Sequence, residues 1–117
     1  MATAYIVGAV RTAGGRNKGK LANVHPTDLG AKVLDALVER TGVNPARIED
    51  VIFGCVSQNG AQAGNIGRGC VLASSLPESV PGTSVDRQCG SGQQAIHFAA
   101  QAVMSGTNDV IIAGGVQ

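Results

Sequence analysis

The chain has 117 residues, one domain's length or less, with 44% hydrophobic and 15% charged residues, 17 glycines and no Trp. The net charge is +1, and the one local concentration of basic residues (Arg11, Arg16, Lys18, Lys20) has no aromatics interleaved, which argues against a nucleic-acid partner. No apolar run approaches membrane-spanning length and the apolar stretch Tyr5 to Val10 has no cleavage pattern behind it, so no membrane partner and no signal peptide are expected.

Ala4 to Val10 is a continuous apolar run, the pattern of a strand buried on both faces. A Gly-rich loop follows from Thr12 to about Val24. Pro26 then stands where a first helical position tolerates it, and Leu29, Val33, Leu34, Leu37 and Val38 recur at helical spacing up to Thr41-Gly42. After the Asn44-Pro45 turn, Asp50 to Val56 reads as a second buried strand. Gln58 to Gly64 is loop, and Asn65 to Ser74 a short helix closed by Leu76-Pro77 and Pro81-Gly82. Thr83 to Asp86 is a third, short strand, Ser91 to Met104 a third helix, and Val110 to Ala113 a fourth buried strand before Gly114-Gly115. The alternation βαβαβαβ with near-continuous apolar strands predicts an α/β fold: a mostly parallel sheet with helices on both faces.

The helix Ser91 to Met104 holds no Asp, Glu, Lys or Arg, and its apolar residues spread around its circumference. Such a helix is normally buried on nearly all sides. Nothing else in the chain is left to cover its second face, so a further part of the protein is expected to pack there.

Three motifs invite a chemical reading. Gly14-Gly15-Arg16-Asn17-Lys18-Gly19-Lys20 fits the phosphate-cradling GxxxxGK, but Leu21 replaces the Ser or Thr that would hold magnesium and no helix follows at once. Gly90-Ser91-Gly92-Gln93-Gln94-Ala95 fits the dinucleotide fingerprint GxGxxA, but Gly114-Gly115 stands where an acidic residue should meet the ribose. Cys55, Cys70 and Cys89 include no CxxC pair and only His25 and His97 could assist them, which argues against zinc; an odd set of separated thiols fits a reducing, cytoplasmic compartment.

Cys89 lies where the third strand hands over to the charge-free helix. There the unpaired N–H groups and positive pole of the helix favour thiolate over thiol, and Gly90 and Gly92 let backbone or substrate come close. The competing reading is a small buried hydrophobe, the usual state of a free cysteine. His97 is eight residues on, about 12 Å along the helix axis, and cannot reach the sulfur. It reads instead as a hydrogen-bonded core histidine, and His25 as flanking a helix start. If Cys89 is a nucleophile, its base comes from elsewhere.

The run Val85-Asp86-Arg87-Gln88-Cys89-Gly90-Ser91-Gly92-Gln93-Gln94-Ala95-Ile96 closely resembles the acyl-enzyme signature of thiolases. Ile6 to Thr12, Val51 to Gln58, Asn65 to Arg68 and Ile112 to Val116 resemble further segments of that family, in the same order. Ala13 departs from the proline usual after the first Arg-Thr. The resemblance implies that residues 1–117 are the first, nucleophile-bearing part of a thiolase N-terminal domain, without the later loop and C-terminal domains. It implies an acyl-CoA C-acyltransferase in which Cys89 carries the acyl group and its backbone N–H donates into an oxyanion hole. Coenzyme A and acetyl-CoA would be substrates, with no permanently bound cofactor and no metal, and the assembly a homodimer or homotetramer. The family's catalytic histidines, second cysteine and most coenzyme A contacts lie beyond these residues, so this segment alone is expected to be inactive. A ketoacyl-synthase-like condensing enzyme fits less well, because the run around Cys89 is Gln-Cys-Gly-Ser-Gly. A non-catalytic split-thiolase piece and a dinucleotide-binding domain are the other readings.

Overall fold

The computed structural model describes residues 2–117. The first helix, α1 (Pro26–Thr41), begins where the His25 ring Nδ1 accepts from the Thr27 N–H at 3.2 Å and Pro26 occupies the first position. It ends at Gly42, whose φ of 69° few other residues adopt without strain and whose N–H donates to the Val38 carbonyl. Asp28 in the first turn and Arg40 in the last complement the helix dipole. A single 3₁₀ turn at Pro45–Arg47, capped by the Asn44 side chain, leads into strand β1 (Asp50–Gly54).

Helix α2 (Ile66–Ala73), strand β2 (Gly82–Val85), helix α3 (Ser91–Met104) and strand β3 (Ile111–Gly115) complete the fold. The three strands form one parallel sheet in the order β2-β1-β3, with Val51 facing Gly82 and Ile112, and Gly54 facing Val85 and Gly115. Alternation along β1 sends Val51, Phe53 and Cys55 to one face, where they join Leu34 of α1 and Ile66, Cys70 and Val71 of α2 in the core. The other face, at Gly54, takes the first turn of α3. Helices therefore cover both faces, as the alternation predicted.

The N-terminal run departs from that expectation. Residues 4–10 carry no regular secondary structure, and Tyr5, Ile6 and Val7 are about four-fifths exposed (79%, 83% and 84%). A strand exists only by pairing with a neighbour, and here the run lies against α1 instead, with Gly8 beside Leu37 and Thr41. A cleft of about 630 Å³ is lined by Val10 to Asn17, by Leu29, Val33 and Leu37 of α1, and by Ile112 to Gln117 along β3. The sheet consequently has three strands among the described residues, and its first element is a helix. The remaining elements fall within two residues of their predicted bounds, with a 3₁₀ turn at Gly60–Gln62 inside the expected loop. No helix among the described residues is long and apolar enough to cross a membrane.

Two polar fasteners set the position of the strands. The Glu49 carboxylate accepts from the Asp109 and Val110 N–H groups at 2.6 and 3.1 Å, tying the approach to β1 to that of β3. These hydrogen bonds hold its carboxyl below the usual range. On the other side Asn65, at φ 71°, caps α2 through the Arg68 N–H and donates to the Gly82 carbonyl, while Ser84 Oγ accepts from the Gly67 N–H. Gly67 lies so close to Thr83 that a Cβ would stand 2.9 Å from its carbonyl carbon and closer still to its oxygen. Replacing Gly67 by Ala would force α2 off β2. A loss of about 1–3 kcal/mol is expected from such overpacking, read as a lower urea midpoint with unchanged slope.

Candidate active site at the carboxyl edge of the sheet

The ends of all three parallel strands and the start of α3 converge at one edge of the sheet, the place where open α/β folds bind ligands. Cys89 sits there, exposed, two residues before α3; Cys55 and Cys70 are buried. The reading of Cys89 as a buried hydrophobe is thus set aside by the fold itself.

The hand-over from β2 to α3 is a tight, fully bonded turn. The Arg87 carbonyl accepts from the Gly90 N–H at 3.0 Å, and the Gln88 carbonyl from the Ser91 N–H at 3.1 Å. Gln88 adopts φ 49°, in the left-handed region that few side-chain-bearing residues enter. Its N–H is held by Asp86 Oδ1 at 2.8 Å, an Asx-turn of the kind aspartate favours. Cys89 stands between these overlapping turns, in a backbone bridge with Arg87. An exposed thiol is therefore offered at the mouth of a helix.

The other edge residues fasten the neighbouring loop after β1. Gln117 Oε1 accepts from the Val56 N–H at 2.9 Å and the Ser57 N–H at 3.4 Å, fixing the loop after β1 to the end of β3. The Cys55 Sγ approaches the same oxygen at 3.8 Å. Burial pushes the Cys55 thiol up, and the Asp86 charge adds to it. Burial, with Cys55 and Asp28 as further contributors, pushes Cys70 up to about 11. Neither buried sulfur is set up as a nucleophile.

The histidines divide. His25 caps α1, as its place before Pro26 suggested. His97 is a correction: it is exposed on α3 and not the hydrogen-bonded core residue expected, because nothing among the described residues covers that face of the helix. Ile96, Phe98 and Met104 on the same helix are also exposed, at 46%, 38% and 38%. Leu21 to Val24 belong to turns before α1, so the GxxxxGK stretch leads into no helix start. Sequence reasoning missed Asp86, Ser91 and Gln117, which shape the site without reacting. The Asp-x-Gln spacing and a serine at a helix start were the available signals for the first two.

The family described as "Thiolase, N-terminal domain" matches residues 4–117, nearly the whole chain. The chain belongs to the thiolase family. It is 60% identical over its full length to a steroid 3-ketoacyl-CoA thiolase of Mycobacterium tuberculosis and 49% identical to a β-ketoadipyl-CoA thiolase of Acinetobacter baylyi. In both comparisons it spans 29% of the relative's length. Among solved structures, a Bacillus anthracis acetyl-CoA acetyltransferase superposes with a TM-score of 0.77 at 41% identity, over 83% of this chain and 24% of that one. The parallel sheet with helices on both faces is thus a thiolase-like α/β fold.

Two outcomes follow from the burial of the thiolase cysteines. Iodoacetamide under native conditions is expected to label Cys89 alone, with Cys55 and Cys70 reacting only after denaturation; peptide mapping checks this, and native labelling of Cys70 at the same rate would contradict it. In the native chain Cys70 keeps its proton up to about 11, whereas an unfolded thiol releases it near the ordinary 9.0. Between those values the unfolded state binds fewer protons, so stability falls as pH rises. The urea midpoint should drop across that window, and drop less in Cys70→Ala.

Proposed function

We propose that this chain is the nucleophile-bearing first part of a thiolase N-terminal domain, and that Cys89 carries the acyl group in an acyl-CoA C-acyltransferase. The observation that supports it most is the exposed Cys89 at the mouth of α3, inside a chain matched to thiolases throughout.

The Cys89 thiolate attacks the carbonyl carbon of an acyl-CoA thioester, forming the new C–S bond while the carbonyl π pair moves onto oxygen. The Cys89 N–H donates to that oxyanion, where a preorganised donor is worth most. Collapse of the adduct expels coenzyme A as its thiolate, which takes up a proton, and leaves the acyl thioester on Cys89. Attack by the α-carbanion of a second acyl-CoA on that thioester forms the C–C bond, breaks the C–S bond to expel the Cys89 thiolate, and gives a 3-ketoacyl-CoA; thiolysis runs the same steps backward. The base that generates the carbanion is not among His25 and His97, which cap one helix and lie exposed two turns along another. The later segments of a complete thiolase supply it, and pack over the apolar face of α3.

Acetyl-CoA is the simplest substrate of this scheme, and coenzyme A enters as substrate with no resident cofactor. The complete protein acts in the cytoplasm as a homodimer or homotetramer. The relatives are named for steroid 3-ketoacyl, β-ketoadipyl and 3-ketoacyl thioesters, and the choice among such acyl chains falls to the segments beyond Cys89.

Intact-mass measurement of the chain before and after acetyl-CoA, with peptide mapping, tests the reading. A single acetyl group on Cys89, absent in Cys89→Ala, is the expected result. No adduct, or an acetyl group placed on Cys55, would overturn it. Sustained turnover by the 117-residue chain is not expected.

A further inference from the structure

Ser91 stands out as a buried polar side chain, at 5% exposure, that takes no part in the proposed chemistry. Its hydroxyl is used twice. It accepts from the Arg87 N–H at 2.8 Å and donates to the Gln88 carbonyl at 2.6 Å. Those two groups bracket Gln88, the residue held at φ 49°, and Cys89 is the next residue in the chain.

The physical consequence is specific. A residue with a side chain leaves the left-handed region when nothing holds it there, because its Cβ crowds the following carbonyl. The Ser91 hydroxyl holds the peptide that follows Gln88, through its carbonyl, and the Asp86–Arg87 peptide that leads into the turn. Without it the Arg87 N–H loses its acceptor and the Gln88 carbonyl loses one of two donors, since the Ser91 N–H remains. Gln88 is then held only at its N–H by Asp86 and at its carbonyl by the Ser91 N–H; the peptide between Gln88 and Cys89 gains freedom to rotate, and Cys89 swings with it. The sulfur and the N–H move together, off the common direction in which the turn presents them.

The serine itself cannot drift. It opens α3, and α3 rests on Gly54 of β1, where a Cβ would stand 2.5 Å from the Gly92 nitrogen and closer to the Ser91 carbonyl carbon. The hydroxyl is therefore referenced to the sheet, and through two hydrogen bonds it references Gln88 and Cys89 to the sheet as well.

We infer that Ser91 is a positioning residue for the nucleophile: its hydroxyl locks the left-handed turn at Gln88 and thereby aims the Cys89 sulfur and N–H at an incoming carbonyl. This rests on the reading of Cys89 as acyl carrier, and deepens it by naming what holds that cysteine in place.

The test uses the whole 117-residue chain and two reagents, iodoacetamide and acetyl-CoA, with the rate at Cys89 followed by mass spectrometry. Rates are taken where circular dichroism shows each variant folded, so that a loss of stability alone leaves them unchanged. Ser91→Ala is expected to slow Cys89 alkylation about tenfold or more, the scale on which small misplacements of a reacting group act. Adding Gln88→Gly should restore the rate to within about threefold, because glycine adopts positive φ without a fastener. Ser74→Ala is the control. That hydroxyl also donates to a carbonyl (Val71, 2.6 Å) and accepts an N–H (Leu76, 3.1 Å), but at the far end of α2. It should cost stability and leave the Cys89 rate alone.

A folded Ser91→Ala chain that alkylates Cys89 at the parent rate would overturn the inference, and so would failure of Gln88→Gly to restore a lost rate. Acetyl-CoA separates this from the acyl-carrier reading. A parent chain that takes no acetyl group sinks that reading while alkylation still decides Ser91. A Ser91→Ala chain that acetylates as fast as the parent sinks the inference alone.

Discussion

A Cβ on Gly54 would collide with the backbone of Ser91 and Gly92, so α3 rests its first turn directly on the backbone of β1. Gly115 makes the matching approach across the sheet, where a Cβ would stand 2.8 Å from the Gly54 carbonyl oxygen. Two glycines in register on neighbouring strands thus open a shallow seat at the carboxyl edge. Everything chemical in this chain depends on that seat. It decides how near the helix mouth comes to the strand ends, and hence where Cys89 stands. A side chain at Gly54 would lift α3 by the thickness of a methyl group, one at Gly115 would press on β1, and the turn from Asp86 to Gly90 is too short to absorb the lift of α3 without changing shape.

Burial divides the three cysteines more sharply than their sequence context does. Cys55 and Cys70 lie on the α1/α2 face of the sheet, where loss of water disfavours the thiolate. Cys89 lies at the edge, exposed. Cys55 follows β1 directly into the core, and the loop beyond it is pinned by Gln117, whereas Cys89 stands on the turn between β2 and α3.

Much of this was legible in the sequence, for identifiable reasons. The Pro26 start and Gly42 stop of α1 are local signals, set by the covalent limits of proline and glycine, and both appear where expected. The charge-free stretch Ser91 to Met104 is a helix over the whole of that span. Cys89 was legible from its place before the paired glycines and from a resemblance covering the chain. The run Ala4 to Val10 was not legible, because a strand is a property of two segments and no partner edge meets it among the described residues. His97 failed for a related reason: burial needs a covering surface, and no described residue covers that face of α3. The Ser91 hydroxyl was not legible because its function lies in a φ angle three residues away, which composition and spacing do not report.

The strand order carries a consequence for how the chain reaches this structure. β1 is central, yet its partner β3 lies about sixty residues later, since Glu49 grips the N–H groups of Asp109 and Val110. Closing a loop of that size costs on the order of 3–4 kcal/mol of chain entropy before any pairing compensates it. During synthesis β1 emerges with one edge waiting for β2 and the other for a segment made half a domain later. Its Val-Ile-Phe core is a sticky, unsatisfied strand for that whole interval, the condition under which parallel sheets fold slowly and attract chaperones. The geometry that brings three strand ends together around one cysteine therefore makes the nascent chain hardest to protect at its centre.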